Sequence, residues 1–206
     1  PIELGADIVV HSATKYLGGH NDVLAGLIIS KGQELTERLA FLHNAIGAVL
    51  SPQDSWLLMR GMKTLALRME RHNENALRIA RWLQGHPAVE AVYHPGLPEH
   101  PGYEVQRRQA TGNSGLFSFR VKDARMVEPI LGSIRLIAFA ESMGGVESLM
   151  TYPAEQTHAD IPEHVRRAVG VDDRLLRLSV GIEHVDDLIA DLDQALAVAM
   201  REIGAA

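Results

Sequence analysis

The sequence contains no cysteine, which rules out disulfides and thiolate metal sites and is compatible with a reducing cytoplasm. Nor does it carry a surplus of positive charge. Its 20 lysines and arginines face 26 aspartates and glutamates, for a formal net charge of −6. The basic residues are scattered, whereas a nucleic-acid partner calls for a basic face. No apolar run approaches the roughly 20 residues of a membrane helix, so no membrane span is expected. Internal repeats and low-complexity linkers are also missing. What the chain does have is apolar bulk: 46% of its 206 residues are hydrophobic, enough for a real core in one large domain or one and a half.

The most informative stretch runs from Ile8 to His20. Ile8, Val9 and Val10 form an apolar β-branched run that reads as the end of a buried strand. The strand delivers Ser12, Thr14 and Lys15, then breaks at Gly18 and Gly19, where tight-turn conformations are open. A strand-end lysine is most often merely solvated. If extended geometry continues, however, the two-residue period sets the Ser12 and Thr14 hydroxyls together beside Lys15. Two hydroxyls and turn amides make a phosphate cradle. A lysine amine beside such a cradle suits pyridoxal 5'-phosphate (PLP), which binds covalently through the amine and is anchored by its phosphate.

The segment from Glu3 through Asp22, with His11-Ser12-Ala13-Thr14-Lys15-Tyr16-Leu17-Gly18-Gly19-His20 at its centre, resembles the cofactor-lysine segment of the Cys/Met-metabolism family of PLP enzymes. These comprise cystathionine γ-synthases, cystathionine β- and γ-lyases, methionine γ-lyase and homoserine-ester sulfhydrylases. The resemblance recurs along essentially all of the chain. It implies that Lys15 holds the cofactor and that Ser12 and Thr14 bind its phosphate. Family members are about twice as long and this chain begins at Pro1, so the resemblance implies a C-terminal half whose N-terminal half is absent from the sequence. The ring-nitrogen aspartate, the stacking tyrosine and further phosphate ligands would then lie elsewhere, and the isolated piece is expected to be inactive.

The fold class implied is α/β: the end of an aspartate-aminotransferase-like, fold type I large domain, then a C-terminal α/β domain with a mostly antiparallel sheet. The expected divisions are residues 1–50 for the end of the PLP-binding domain, 51–85 for a long interdomain helix, and 86–206 for the C-terminal domain. Leu24 to Ser30 reads as a second strand and residues 33–46 as a helix. Ser51-Pro52-Gln53-Asp54 offers an N-cap serine, a proline at the first helical position and an acid three residues past the cap. Helical composition then continues to Gln84, with Gly85 as the stop and a bend allowed at Gly61. Unbroken, such a helix would span about 50 Å. Its first half, with Trp56, Leu57, Leu58, Met59 and Met62, is apolar nearly all round and reads as buried. Its second half carries a single stripe at Met69, Leu77, Ala80 and Leu83.

Further strands are expected at Val89–Tyr93, Leu116–Val121, Ile134–Phe139 and Leu175–Val180. Phe117, Phe119 and Val121 should share one face of theirs. Short helices are expected over 103–110 and 123–132. The last helix places Val185, Leu188, Ile189, Leu192, Leu196 and Ala199 at helical spacing, with Asp186 and Asp187 in its first turn.

Two more constellations carry chemistry. Glu141-Ser142-Met143-Gly144-Gly145-Val146-Glu147-Ser148 reads from its residues as a glycine turn. The resemblance makes it the substrate loop, with Ser142 contacting the lysine and substrate, and Glu141 lining the distal end of the pocket, where an acid suits the far ammonium of cystathionine. Arg177 is a lone charge in an apolar strand. It can face solvent, or it can face inward and clamp a carboxylate bidentately; the resemblance implies the second. The ten histidines show no compact helical ligand pair, and no metal site is expected. Met143 and Asp160 depart mildly from the family pattern, which has leucine and usually a small residue there. The function implied is PLP-dependent transsulfuration on cystathionine or homoserine esters, as a cystathionine γ-synthase or alternatively a β- or γ-lyase or methionine γ-lyase. The partners implied are a small sulfur amino acid, the missing N-terminal half and a homotetrameric assembly, in the cytoplasm. A non-catalytic C-terminal assembly module is the rival reading.

Overall fold

The computed structural model describes residues 1–204, which divide into two compact units, Pro1–Leu65 and the chain from Ala66 onward. In the first unit, β1 (Ile8–Ser12) pairs antiparallel with β2 (Gly26–Ser30), Ile8 standing opposite Ser30 and Ser12 opposite Gly26. Helix α1 (Gln33–Ile46) follows and ends at Gly47, whose φ of 74° is the left-handed cap that glycine adopts without cost. Helix α2 (Pro52–Met62) starts as its sequence dictates: the Ser51 hydroxyl accepts the Asp54 N–H at 3.0 Å, and Pro52 fills the first turn.

Three expectations fail here. The strand at Ile8–Val10 is not buried: Val10 is 70% exposed, because β1 pairs only with β2 and the sheet has just these two strands. Likewise, Trp56, Met59 and Met62 on α2 are exposed, and only Leu58 and Gly61 of that helix are buried. The expected single helix over 51–84 is also two helices. Lys63 and Thr64 form a turn whose N–H groups reach back to Arg60 O and Gly61 O, and α3 (Leu65–Gln84) begins after it.

The second unit is built on a five-stranded sheet in the order β3-β4-β7-β6-β5. Its strands are β3 (Val89–Tyr93), β4 (Leu116–Val121), β5 (Ala138–Phe139), β6 (Leu149–Thr151) and β7 (Leu175–Ser179). All neighbours are antiparallel except β5 and β6. Phe117, Phe119 and Val121 point to one buried face, as their alternation requires. They join Leu176, Leu178 and Met150 in a single apolar cluster with Ile79 and Leu83 of α3, Ile130 of α5 (Val127–Ser133) and Leu188, Leu192 and Leu196 of α7 (Val185–Gly204). Phe119 is fully buried there; truncating such a side chain to alanine costs about 3–5 kcal/mol.

Helix α3 is thus the half that buries a stripe, and that stripe includes the polar Arg68, His72 and Asn75 beside Ala76, Ile79, Ala80 and Leu83. The strand expected from Ile134 shrinks to β5 because the carboxylate of Asp191, on α7, takes the N–H groups of Arg135, Leu136 and Ile137 at 2.9 Å each. Amides held by a side chain cannot also build a ladder. Residues 123–132 form a 3-10 turn, Ala124–Met126, leading into α5, whose first turn tolerates Pro129. Two short helices, α4 (Tyr103–Gln109) and α6 (Glu163–Ala168), lie in the connections.

Candidate functional site

In the first unit, β1 stops at Ser12 and the chain enters one wide helical turn, Ala13–Leu17, closed by Gly18 N–H on Ala13 O at 2.9 Å. Extended geometry therefore does not carry through to Thr14. The Ser12 hydroxyl stands at the end of β1 and the Thr14 hydroxyl within the turn, so no two-residue period sets them together. Lys15 itself leaves the helical region, at φ −90° and ψ −127°, and is half-buried. The Thr14 Oγ1 accepts the Ala25 N–H at 2.9 Å and donates to Ala25 O at 3.2 Å, so the residue just before β2 fixes its position. The Ser12 hydroxyl makes no capping bond to the turn. The set holds one primary amine and one hydroxyl in the turn with a second hydroxyl at the end of β1, and these residues fit a phosphate-bearing aldehyde cofactor.

The turn is seated from below by close backbone packing. A Cβ at Gly61 of α2 would overlap the carbonyl oxygen of Gly18, and a Cβ at Gly18 would come within 2.9 Å of Val23 Cγ1. The His20 ring nitrogen donates to Gly18 O at 2.9 Å, so His20 shapes the loop after the lysine.

In the second unit, Arg177 stands in the middle of β7, flanked by buried Leu176 and Leu178. Its Nη2 donates to Thr151 Oγ1 at 3.2 Å, while its buried Nε has no hydrogen-bond partner. Burial lowers the guanidinium pKa, and the charge of Glu141 opposes that shift. Among the described residues Arg177 makes no ion pair with a carboxylate at bonding distance. A half-buried guanidinium held by one neutral hydroxyl retains the capacity to take a carboxylate.

The loop from Glu141 to Ser148 is tied down along its length. Ala140 N–H donates to Met150 O at 3.0 Å, Gly144 N–H to the Ser179 hydroxyl at 3.0 Å, and Ser148 N–H and Oγ to the Glu183 carboxylate at 2.6 and 2.9 Å. The Ser148 hydroxyl in turn accepts Gly181 N–H at 2.8 Å. Ser142 has φ +148°, a region that side-chain-bearing residues rarely occupy. Holding it there costs about 1–3 kcal/mol, and such residues cluster at functional sites. Glu141 is exposed at the start of the loop, where its charge acts on Arg177. Thr151, Ser179 and Glu183 were not foreseen as part of this constellation. Their roles arise from cross-strand and cross-loop contacts that leave no local pattern.

His94 and His100 do not converge on a ligand. Each ring accepts the N–H two residues ahead, from Gly96 at 2.9 Å and Gly102 at 3.0 Å. Among the described residues, no three His, Asp or Glu side chains are arranged to hold a metal ion.

The family description Cys/Met metabolism PLP-dependent enzyme matches residues 1–197. The chain belongs to that family. It is 53% identical over 196 residues to a cystathionine β-lyase of Lactococcus lactis subsp. cremoris, covering 95% of this chain and 52% of the relative. A cystathionine γ-synthase of Haemophilus influenzae is 55% identical over 197 residues, covering 96% of this chain and 49% of the relative. The solved structure of cystathionine γ-lyase from Lactobacillus plantarum, complexed with L-serine, superposes with a TM-score of 0.93 at 46% identity, over 97% of this chain and 52% of that one. The chain thus spans about half the length of the relatives it matches. The architecture is that of fold type I PLP enzymes, with the mostly antiparallel C-terminal sheet expected for this family. Among the described residues no helix is long and apolar enough to cross a membrane.

Proposed function

We propose that this chain is the lysine-bearing, C-terminal part of a PLP-dependent transsulfuration enzyme acting on cystathionine or homoserine esters. The match of the family over residues 1–197 carries the reading. In the proposal, residues 1–50 end the cofactor domain, 51–85 lead out of it, and 86–206 form the C-terminal domain. The relatives include both synthases and lyases at 55% and 53% identity, so the reading covers γ-replacement and β- or γ-elimination.

Bound PLP would supply an electron sink for a carbanion at the substrate α carbon. Lys15 would hold the group through its Nζ, and its amine would carry a proton at that carbon. Ser12 and Thr14 would donate to the phosphate, Thr14 by turning towards it the proton it gives to Ala25 O. Arg177 pairs with the substrate α-carboxylate, a role supported by its unpartnered Nε. Ser142 orients the substrate, and Glu141 meets a distal ammonium. Homotetrameric assembly and a cytoplasmic location complete the proposal; sedimentation tests the first and cell fractionation the second.

The decisive experiment is borohydride reduction of the full-length holoenzyme followed by peptide mapping. Cofactor fixed on Lys15 is the expected result, and cofactor fixed on Lys31 or Lys63 would sink the assignment. Release of pyruvate or 2-oxobutyrate from cystathionine then separates β- from γ-elimination. A protein that binds no PLP would revive the assembly-module reading.

A further inference from the structure

Thr151 has only 1% of its surface exposed. The β6–β7 register places it directly opposite Arg177, and Arg177 Nη2 donates to its hydroxyl at 3.2 Å. That hydroxyl has a single proton, which it gives to Ala140 O at 3.0 Å. The oxygen meeting the guanidinium therefore presents a lone pair, so the direction of the bond is set. Ala140 immediately precedes Glu141 and Ser142, and its own N–H is bound to Met150 O at 3.0 Å. One buried hydroxyl thus joins the arginine of β7 to the residue immediately before the 141–148 loop.

We propose that Thr151 is a positioning residue for substrate recognition: it fixes the Arg177 guanidinium through Nη2 and registers it against the Glu141–Ser142 loop. The proposal rests on the reading of Arg177 as the carboxylate clamp. A neutral hydroxyl suits this task better than an acid. A carboxylate at position 151 would neutralise the guanidinium and compete with the substrate for it, whereas a hydroxyl orients the fork and leaves its charge for the ligand. Without that bond Arg177 has no side-chain hydrogen bond among the described residues, and its rotamers must be ordered by the ligand itself, which weakens binding.

The test uses the full-length holoenzyme with three substitutions: Thr151→Val, of the same shape but without the hydroxyl, Thr151→Ser, which restores it, and Arg177→Leu. L-serine binding is followed through the visible absorbance of the bound cofactor, and KM and kcat are measured with cystathionine. Thr151→Val should raise the L-serine Kd and the cystathionine KM about tenfold, the scale of a lost hydrogen bond to a charged group, with kcat and PLP affinity little changed. Thr151→Ser should recover most of that loss. Arg177→Leu should weaken L-serine by about thirty-fold or more. If Thr151→Val does not fold, Thr151→Ala is read in the same way.

Wild-type Kd and KM in Thr151→Val, or an equal loss in Thr151→Ser, overturns the proposal. A fall in kcat and PLP affinity at constant KM does so too, since it marks a merely structural residue. Should Arg177→Leu weaken L-serine while Thr151→Val does not, only the positioning role fails. Should Arg177→Leu leave L-serine binding intact, the clamp reading falls and takes this proposal with it.

Discussion

Charge at single residues divides the work of the second unit. Glu141 lies close enough for its charge to act on Arg177, so it has two opposed effects on an amino-acid ligand. It attracts a distal ammonium, and it weakens the pull of Arg177 on an α-carboxylate. Glu141→Ala should therefore raise KM for cystathionine while leaving KM for methionine or homoserine esters unchanged or lower. A uniform rise across these substrates would show that Glu141 only supports the loop. His94 gives a pH prediction. Its ring is fully buried in unit 2, and burial, with His100 and Arg81 nearby, lowers its pKa from 6.5 to about 4. The folded state therefore binds this proton less readily than the unfolded chain. The stability that depends on a neutral ring is complete above the unfolded value of 6.5 and is lost as pH falls towards about 4. The loss across that window is on the order of 3 kcal/mol. His94→Asn keeps an acceptor for the Gly96 N–H and removes the titration, so its denaturant midpoint should fall less between those pH values than the wild type's. Parallel pH curves would remove His94 from the acid response.

The meeting of α2 with the Lys15 turn is the contact between elements that bears most on the cofactor. Gly61 lets the helix backbone lie against the carbonyls of Leu17 and Gly18. Since the atoms opposite are backbone, an added methyl cannot be accommodated by a side-chain rotation. Gly61→Ala should displace the turn at a cost of about 1–3 kcal/mol and weaken PLP binding, measured by cofactor retained after dialysis of the full-length protein. Retention and Tm equal to the wild type's would show that the contact gives way harmlessly. The start of α2 was legible because capping is local: Ser51, Pro52 and Asp54 state it within four residues of chain. Arg177 was legible as an anomaly, one charge in an apolar strand. Strand β6 was not, because three residues are too few to establish a period. Thr151 was invisible for a related reason. Its partners are Arg177 and Ala140, at separations of 26 and 11 residues, and only strand register brings them together. Similarly, nothing near Ile134 announces that Asp191, more than fifty residues on, will claim the next amides.

At the scale of the molecule, the two units differ in how far each satisfies its own apolar residues. The second closes a continuous core from α3, α5, α7 and one face of its sheet. The first does not. Val10, Leu24 and Ile28 are exposed on or beside its two-stranded sheet, and Phe41, Ile46, Val49, Trp56 and Met59 are exposed on and around α1 and α2. The sequence pattern there was read as buried, and the pattern itself was sound. Apolar β-branched runs encode burial, but burial needs a covering layer, and the first unit holds no element that supplies one to these side chains. A two-stranded sheet is at best marginally stable in water, and unpaired edges beside exposed apolar faces favour association. Residues 1–206 expressed alone should accordingly self-associate, bind PLP poorly and release no pyruvate or 2-oxobutyrate from cystathionine. Co-expression with a polypeptide supplying the remaining length of the relatives should convert the material into a discrete, yellow species. Sedimentation velocity and the visible spectrum read both outcomes. A soluble, yellow, active monomer from residues 1–206 alone would mean that the exposed residues of the first unit need no cover, and that Ser12, Thr14, Lys15 and Arg177 suffice for the chemistry without further help.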